Sequence, residues 1–278
     1  MSQPFLAFAE AHGLIIRRLL PDGRVHRVPT LTHPRKRNGA YKFDGLYGWV
    51  KDWARHATPE RWRPNAVEVE YDYALRAKIV AERAAEDAER RANAVTNAWA
   101  ALKGATVQHH PYLERKGFPH ESIFVGPDSR IVLPMWDVAN YGRALNSVQF
   151  IGEDGSKKFL PGGKARGSVY RIGTGQKQLL CEGYATALSV RAALCVLHVQ
   201  AIVYVCFSAG NLAHVAHQLK GARYVVADND ASQTGERYAV ETGLPWAMPP
   251  TVGHDANDMH QSDGIAPLAA LVRALMKR

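Results

Sequence analysis

Three short apolar runs in the second half of the chain each lead into carboxylates: Leu179-Leu180-Cys181-Glu182, Tyr224-Val225-Val226-Ala227-Asp228-Asn229-Asp230, and the segment His254-Asp255-Ala256-Asn257-Asp258 that follows Trp246-Ala247-Met248. Runs of this length and β-branched content read as buried strands. Gly183 opens a helical pattern directly after Glu182, which places that carboxylate at a strand's C-terminal edge. Asp228 and Asp230 are two apart, so both side chains leave their strand end in the same direction. The C-terminal ends of parallel strands are where open α/β sheets gather their active sites.

Several carboxylates converging on one sheet edge repel unless they protonate or share a cation. Hard oxygen donors without His or Cys select Mg2+ or Mn2+ over zinc. Glu182, Asp228, Asp230, Asp255 and Asp258 are therefore the candidate metal ligands, with Glu182, Asp228 and Asp230 the candidate catalytic groups. The plainer reading is that each acid caps a helix or turns a loop.

The elements that must hold these acids alternate: strand 178–181, helix 183–195, strand 201–206, helix 210–219, strand 222–227, helix 234–242, strand 245–248 and helix 264–277. Such alternation predicts a mainly parallel four-stranded sheet with helices on both faces, spanning 175–278. Three segments precede it. Residues 1–64 read as a small, basic, β-rich unit with a helix at 4–12 and strands at 14–16, 24–28 and 39–44. Residues 65–105 are rich in Ala, Glu and Arg and read as one long, mostly solvated helix, its ends docked by Leu75, Ile79, Trp99 and Leu102. Residues 106–174 read as a basic α+β subdomain.

Charge is distributed unevenly. The net charge is +9; residues 1–110 hold 18 Lys and Arg against 12 Asp and Glu, whereas residues 175–278 hold eight of each. An acidic module fused to a basic front half suits a polyanionic partner. Arg35, Lys36 and Arg37 sit on a predicted loop among Tyr41, Trp49, Trp53 and Trp62, and cations interleaved with aromatics suit single-stranded nucleic acid. In 157–166, Lys157, Lys158, Lys164 and Arg166 surround a Gly-Gly turn, the composition of a phosphate-gripping loop. Cys181, Cys195 and Cys206 show no ligand or disulfide spacing, read as buried small apolar residues, and with the absence of a signal pattern lead us to expect a bacterial cytoplasm. His12, His26, His33 and His56 lack zinc-ligand spacing, so no zinc is expected. No apolar stretch reaches transmembrane length, and no membrane partner is expected.

The order and spelling of the acidic clusters resemble the Toprim family, the metal-binding fold of bacterial-type primases, topoisomerases and some nucleases. Glu182-Gly183, Asp228-Asn229-Asp230 and Gly235 match its marks, and Asp255-Ala256-Asn257 is similar to a segment of phage primase-helicases. The resemblance implies a Toprim catalytic domain over 175–278 and a primase-like nucleotidyl transferase that makes short oligonucleotides on single-stranded DNA for phage or plasmid replication, from nucleoside triphosphates. It also implies that the basic residues at 157–166 contact nucleotide or template. The family's usual N-terminal zinc ribbon has no counterpart in the cysteine pattern. No Gly-x-x-x-x-Gly-Lys-Ser/Thr loop occurs, so a separate replicative helicase is expected as a partner. Two other readings use the same residues: a Toprim nuclease, with water replacing the 3′-hydroxyl, and a catalytically silent nucleic-acid-binding protein.

Overall fold

A computed structural model describes residues 2–56, 58–63 and 73–277. Two compact units divide near residue 77. In the N-terminal unit, helix α1 (Ser2–Ala11) is followed by strands β1 (Val25–Val28), β2 (Gly39–Phe43), β3 (Gly48–Asp52) and β4 (Glu60–Trp62), which form one antiparallel sheet in that order. Alternation along β2 sends Tyr41 and Phe43 to the α1 side, where Phe5 stacks on Phe43 with centroids 4.3 Å apart and meets Trp62 edge-on at 5.6 Å. The expected strand at 14–16 is reduced to a single bridge between Leu14 and Thr30. Its apolar side chains are drawn to the small core, which Leu14 and Ile16 help to close.

The second unit begins along α2 (Tyr73–Lys103). Residues 66–72 of the expected helix, and the side chains of Leu75 and Ile79, lie outside the described residues. The described residues of α2 are mostly exposed, as expected of a solvated spacer, and the helix is seated towards its C-terminal end. Ala94 and Ala98 are buried, and Ala98, Ala101 and Leu102 pack on Val132, Leu145 and Val148. Alanines let the helix axis approach the sheet closely.

Then come β5 (Thr106–Gln108), α3 (Pro111–Arg115), β6 (Ile123–Val125), β7 (Ile131–Asp137), β8 (Leu145–Ile151), β9 (Lys157–Phe159) and β10 (Ser168–Ile172). The remaining elements are β11 (Lys177–Cys181), α4 (Tyr184–Val196), β12 (Ala201–Val205), α5 (Ala209–Ala216), β13 (Arg223–Val226), α6 (Thr234–Glu241), β14 (Trp246–Ala247), α7 (Ala256–Asp263) and α8 (Ile265–Leu275). The order β14-β13-β11-β12 is parallel, as the alternation predicts. It does not end there. β10 pairs antiparallel with β12 and with β7, so a single ten-stranded sheet runs through the expected boundary at 174/175. Helix α7 has no counterpart among the expected elements, because 256–263 is too polar to show an apolar stripe.

Strand alternation explains the two-sided burial. Leu179, Cys181, Val203, Val205 and Val226 face α4, α7 and α8, while Leu180, Tyr204, Cys206, Val225 and Ala227 face α5 and α6. Cys181 and Cys206 are buried as expected, and burial pushes both thiols up. Cys195 departs from expectation: it is exposed, at the end of α4 where that helix turns away from the core.

Asn211 joins α5 to β10. Its Oδ1 accepts from the Gly167 N–H at 2.7 Å, and its Nδ2 donates to the carbonyls of Ser168 at 2.8 Å and Cys206 at 2.7 Å. Asn211→Ala strands these buried groups, each of which costs roughly 1–3 kcal/mol when unsatisfied. A lowered thermal midpoint is the expected result in a melting experiment. Truncation of an exposed side chain nearby, Gln218→Ala, is expected to leave the midpoint unchanged.

Candidate active site

Each of the predicted acids but one is placed by the start of a helix. Glu182 follows β11 directly, and its carboxylate accepts from the N–H of Ala209, the first residue of α5. Burial raises its proton affinity; Asp230 and Asp255 push the same way, and the Lys157 ammonium opposes them. Asp255 caps α7. Its Oδ1 accepts from the N–H groups of Asn257 at 2.7 Å and Asp258 at 3.0 Å, and its Oδ2 from the Thr186 hydroxyl at 3.1 Å. Asp230 accepts from the Ser232 N–H at 2.8 Å, the Gly235 N–H at 3.0 Å and the Ser232 hydroxyl. The Ser232 hydroxyl, then the Gly235 N–H, hold its pKa down to about 2.

Asp228 is the exception. Its Oδ1 is buried with no hydrogen-bond partner among the described residues. Burial first, then the Asp255 and Glu182 carboxylates, push its pKa up to about 7 against the pull of Lys157. It lines a narrow crevice with Glu182, Gly235 and Tyr238. A Cβ at residue 235 would stand 2.2 Å from the Asp228 carbonyl oxygen, so α6 can begin this close only with glycine.

Asp258 occupies another role. Its Oδ2 accepts from the Asp255 N–H at 3.1 Å, completing the capping box, and its Oδ1 is 3.8 Å from Lys116 Nζ. That places Asp258 in the cap, apart from the acids that raise the pKa of Asp228.

Among the described residues, no group of three His, Cys, Asp or Glu is arranged ready to hold a metal ion. The donor chemistry nonetheless suits a hard divalent cation. The groups that raise the pKa of Asp228 are carboxylates, and its buried Oδ1 has no hydrogen-bond partner among the described residues.

Beside Asp255 opens a pocket lined by Tyr112, Arg115, Lys116, Lys157 and Thr186. Lys157 is the predicted member. Its ammonium stands 3.5 Å from where a Cβ at residue 183 would be, over the turn that starts α4. No side chain caps α4, and an uncapped helix N-terminus is a ready anion site. Arg115 and Lys116, at the end of α3, carry no mark in the sequence as site residues. Two cations before Gly117 are an ordinary helix end, and only the fold brings them in: buried Asn257 donates to the Lys116 carbonyl at 2.9 Å and to the Ser189 hydroxyl at 3.1 Å.

The other predicted cations lie elsewhere. Lys158 alternates to the other side of β9. Lys164 and Arg166 line a groove with Arg90, Arg91 and the Gly162-Gly163 turn. Lys164 also stands 3.5 Å from Asp137 Oδ2. Arg35, Lys36 and Arg37 are exposed on a turn of the N-terminal unit. His260 contacts Ser189 and Phe118, and His254 pairs through its backbone with Asn229.

A two-sided sheet with acids gathered at its parallel strand ends defines an α/β fold with a candidate active site at that edge. Residues 177–266 match the family model of the Toprim domain, and this part of the chain is a Toprim domain. A solved structure is also similar: the bacteriophage T7 lagging-strand DNA polymerase interacting with primase domains of two gp4 subunits bound to an RNA/DNA hybrid and dTTP. The likeness covers 60% of this chain and 85% of the other at 15% identity, with a TM-score of 0.41. No helix among the described residues is long and apolar enough to cross a membrane.

Asp228 generates a test. Its folded pKa of about 7 lies above the ordinary 3.8, so between these values the folded state binds the extra proton. Stability supplied by that proton is complete at low pH and is lost as pH rises through about 7. In chelator, the thermal midpoint of the parent is expected to fall between about pH 5 and about pH 8 by more than that of Asp228→Asn, and Mg2+ is expected to restore the parent at the higher pH.

Proposed function

We propose that the chain is a primase-like, divalent-metal-dependent nucleotidyl transferase acting on single-stranded DNA. The observation that carries this reading is a pocket lined by Asp255 and Asp154 with Arg115, Lys116 and Lys157, in which Asp255 and Lys157 also act on Asp228, whose buried oxygen lacks a partner among the described residues. Carboxylates alone suit a cation; carboxylates beside three cations suit a cation with a polyphosphate. Glu182, Asp228, Asp230 and Asp255 would hold Mg2+ or Mn2+, each cap leaving lone pairs on its carboxylate for a ligand role. Such an ion supplies charge neutralisation for the triphosphate and acidifies a 3′-hydroxyl.

The chain's own groups account for the rest. Arg115, Lys116, Lys157 and the start of α4 would grip the phosphates and fix their orientation. Thr186, by donating to Asp255, would hold that carboxylate facing the pocket. Glu182, with raised proton affinity and half-buried between Lys157 and the other acids, is suited to take the proton of the attacking hydroxyl. Arg90, Arg91, Lys164 and Arg166 offer a second basic groove for template backbone.

The test is a gel assay with single-stranded DNA, labelled nucleoside triphosphates and Mg2+ or Mn2+. The parent is expected to make short oligomers and Asp228→Asn none. Lys116→Met and Lys157→Met are expected to raise KM for the triphosphate about tenfold, as the loss of one charge-assisted phosphate contact would do. Shortened template without oligomers, lost in Asp228→Asn, would replace this reading with the nuclease.

A further inference from the structure

The N-terminal sheet has two unlike faces. The α1 side holds Tyr41, Phe43, Val50 and Trp62 in the core. Cross-strand register assigns the opposite side residue by residue. Lys42 on β2 lies across from Trp49 on β3, and Trp49 lies across from Arg61 on β4. One pleat along, Arg27 on β1 lies across from Ala40, and Ala40 from Lys51. This face therefore presents an indole with a cation on the strand to either side of it, and a second row ending in two more cations. Trp53, just past β3 and 51% exposed, lies beneath both of these: Arg27 is 5.3 Å and Lys51 4.1 Å from its ring centre. Arg27 also donates twice to the Arg37 carbonyl, which ties the loop carrying Arg35, Lys36 and Arg37 to the edge of the same face. Lys42, Trp49, Arg61 and Arg63 also line a concave depression with Gly48 and Trp62 of the other face, Tyr47, and Asp44, whose Oδ1 accepts from two N–H groups of its own turn.

We infer that this face is a single-stranded DNA-binding surface, with Trp49 as a base-stacking platform and Arg27, Lys42, Lys51 and Arg61 as phosphate contacts. Charge sets the polyanion. The indole sets the single strand, because bases stack on an aromatic side chain only when they are not already stacked within a duplex. The inference rests on the sheet register and the contacts of this face and is independent of the chemistry proposed for the Toprim acids.

The experiment uses the full chain carrying Asp228→Asn, so that binding is read without turnover, with a fluorescent oligo-dT as probe. Trp49→Ala is expected to weaken binding about tenfold, as loss of one stacked base does. Trp49→Phe keeps a stacking ring and is expected to stay within about twofold of the parent. The double variant Lys42→Ser, Arg61→Ser is expected to lower the slope of log affinity against log salt by about 1.4, two phosphate contacts at about 0.7 each. Unchanged affinity and salt slope in all three variants, with thermal midpoints equal to the parent, would overturn the inference. So would binding to duplex as tight as to single strand, or tenfold tighter binding to oligo-rU. Failure of primer synthesis would leave each of these readings intact.

Discussion

Like charges gathered at one sheet edge must be compensated, and the second unit does this with the N-termini of helices. The Glu182 carboxylate takes an N–H from α5, Asp230 from the start of α6, and Asp255 from the first turn of α7. An N-terminal turn offers unpaired N–H groups and a partial positive charge, so it holds an anion where a sheet edge alone would not. The plain reading of these acids as caps holds for Glu182, Asp230 and Asp255, and the same residues lie close enough for Asp255 and Glu182 to raise the proton affinity of Asp228. Asp228 is buried near the others without such a helix start, and burial, then the Asp255 and Glu182 carboxylates, raise its proton affinity.

The same geometry makes the acid cluster and the basic pocket depend on each other. Asp255 is fixed by Thr186 of α4, Asn257 of the same α7 turn reaches back to the carbonyl of Lys116, and Lys157 lies over the start of α4. Elements far apart in the chain meet at one place because α3, α4 and α7 cover the same face of the sheet. No single loop builds the pocket.

This explains which parts of the structure were legible in the amino-acid sequence. The parallel strands and their helices are written in short apolar runs with glycine or a polar cap between them, and Glu182 and Asp228 follow directly where two of those runs end. The antiparallel pairing of β10 with β12 and β7 leaves no such mark, because either edge of a strand can receive a partner. Helix α7 is too polar to betray its buried face, Leu14 to Ile16 have strand composition but pack as a loop, and Arg115 and Lys116 gain meaning only through Asn257. The tryptophans of the N-terminal unit divide by parity: Trp62 belongs to the core and Trp49 to the opposite face, a distinction that needs the register.

Helix capping by the acids has an evolutionary consequence. Asparagine caps a helix about as well as aspartate, so exchange of Asp230 or Asp255 for the amide would remove charge while keeping the hydrogen bonds that start α6 and α7. Asp228, which caps nothing, carries even less of the fold. A lineage descended from such a chain can thus lose its acids one at a time and keep the sheet, the helices and the basic surfaces. A chain of the same fold without the charge of these acids lies only a few conservative substitutions away.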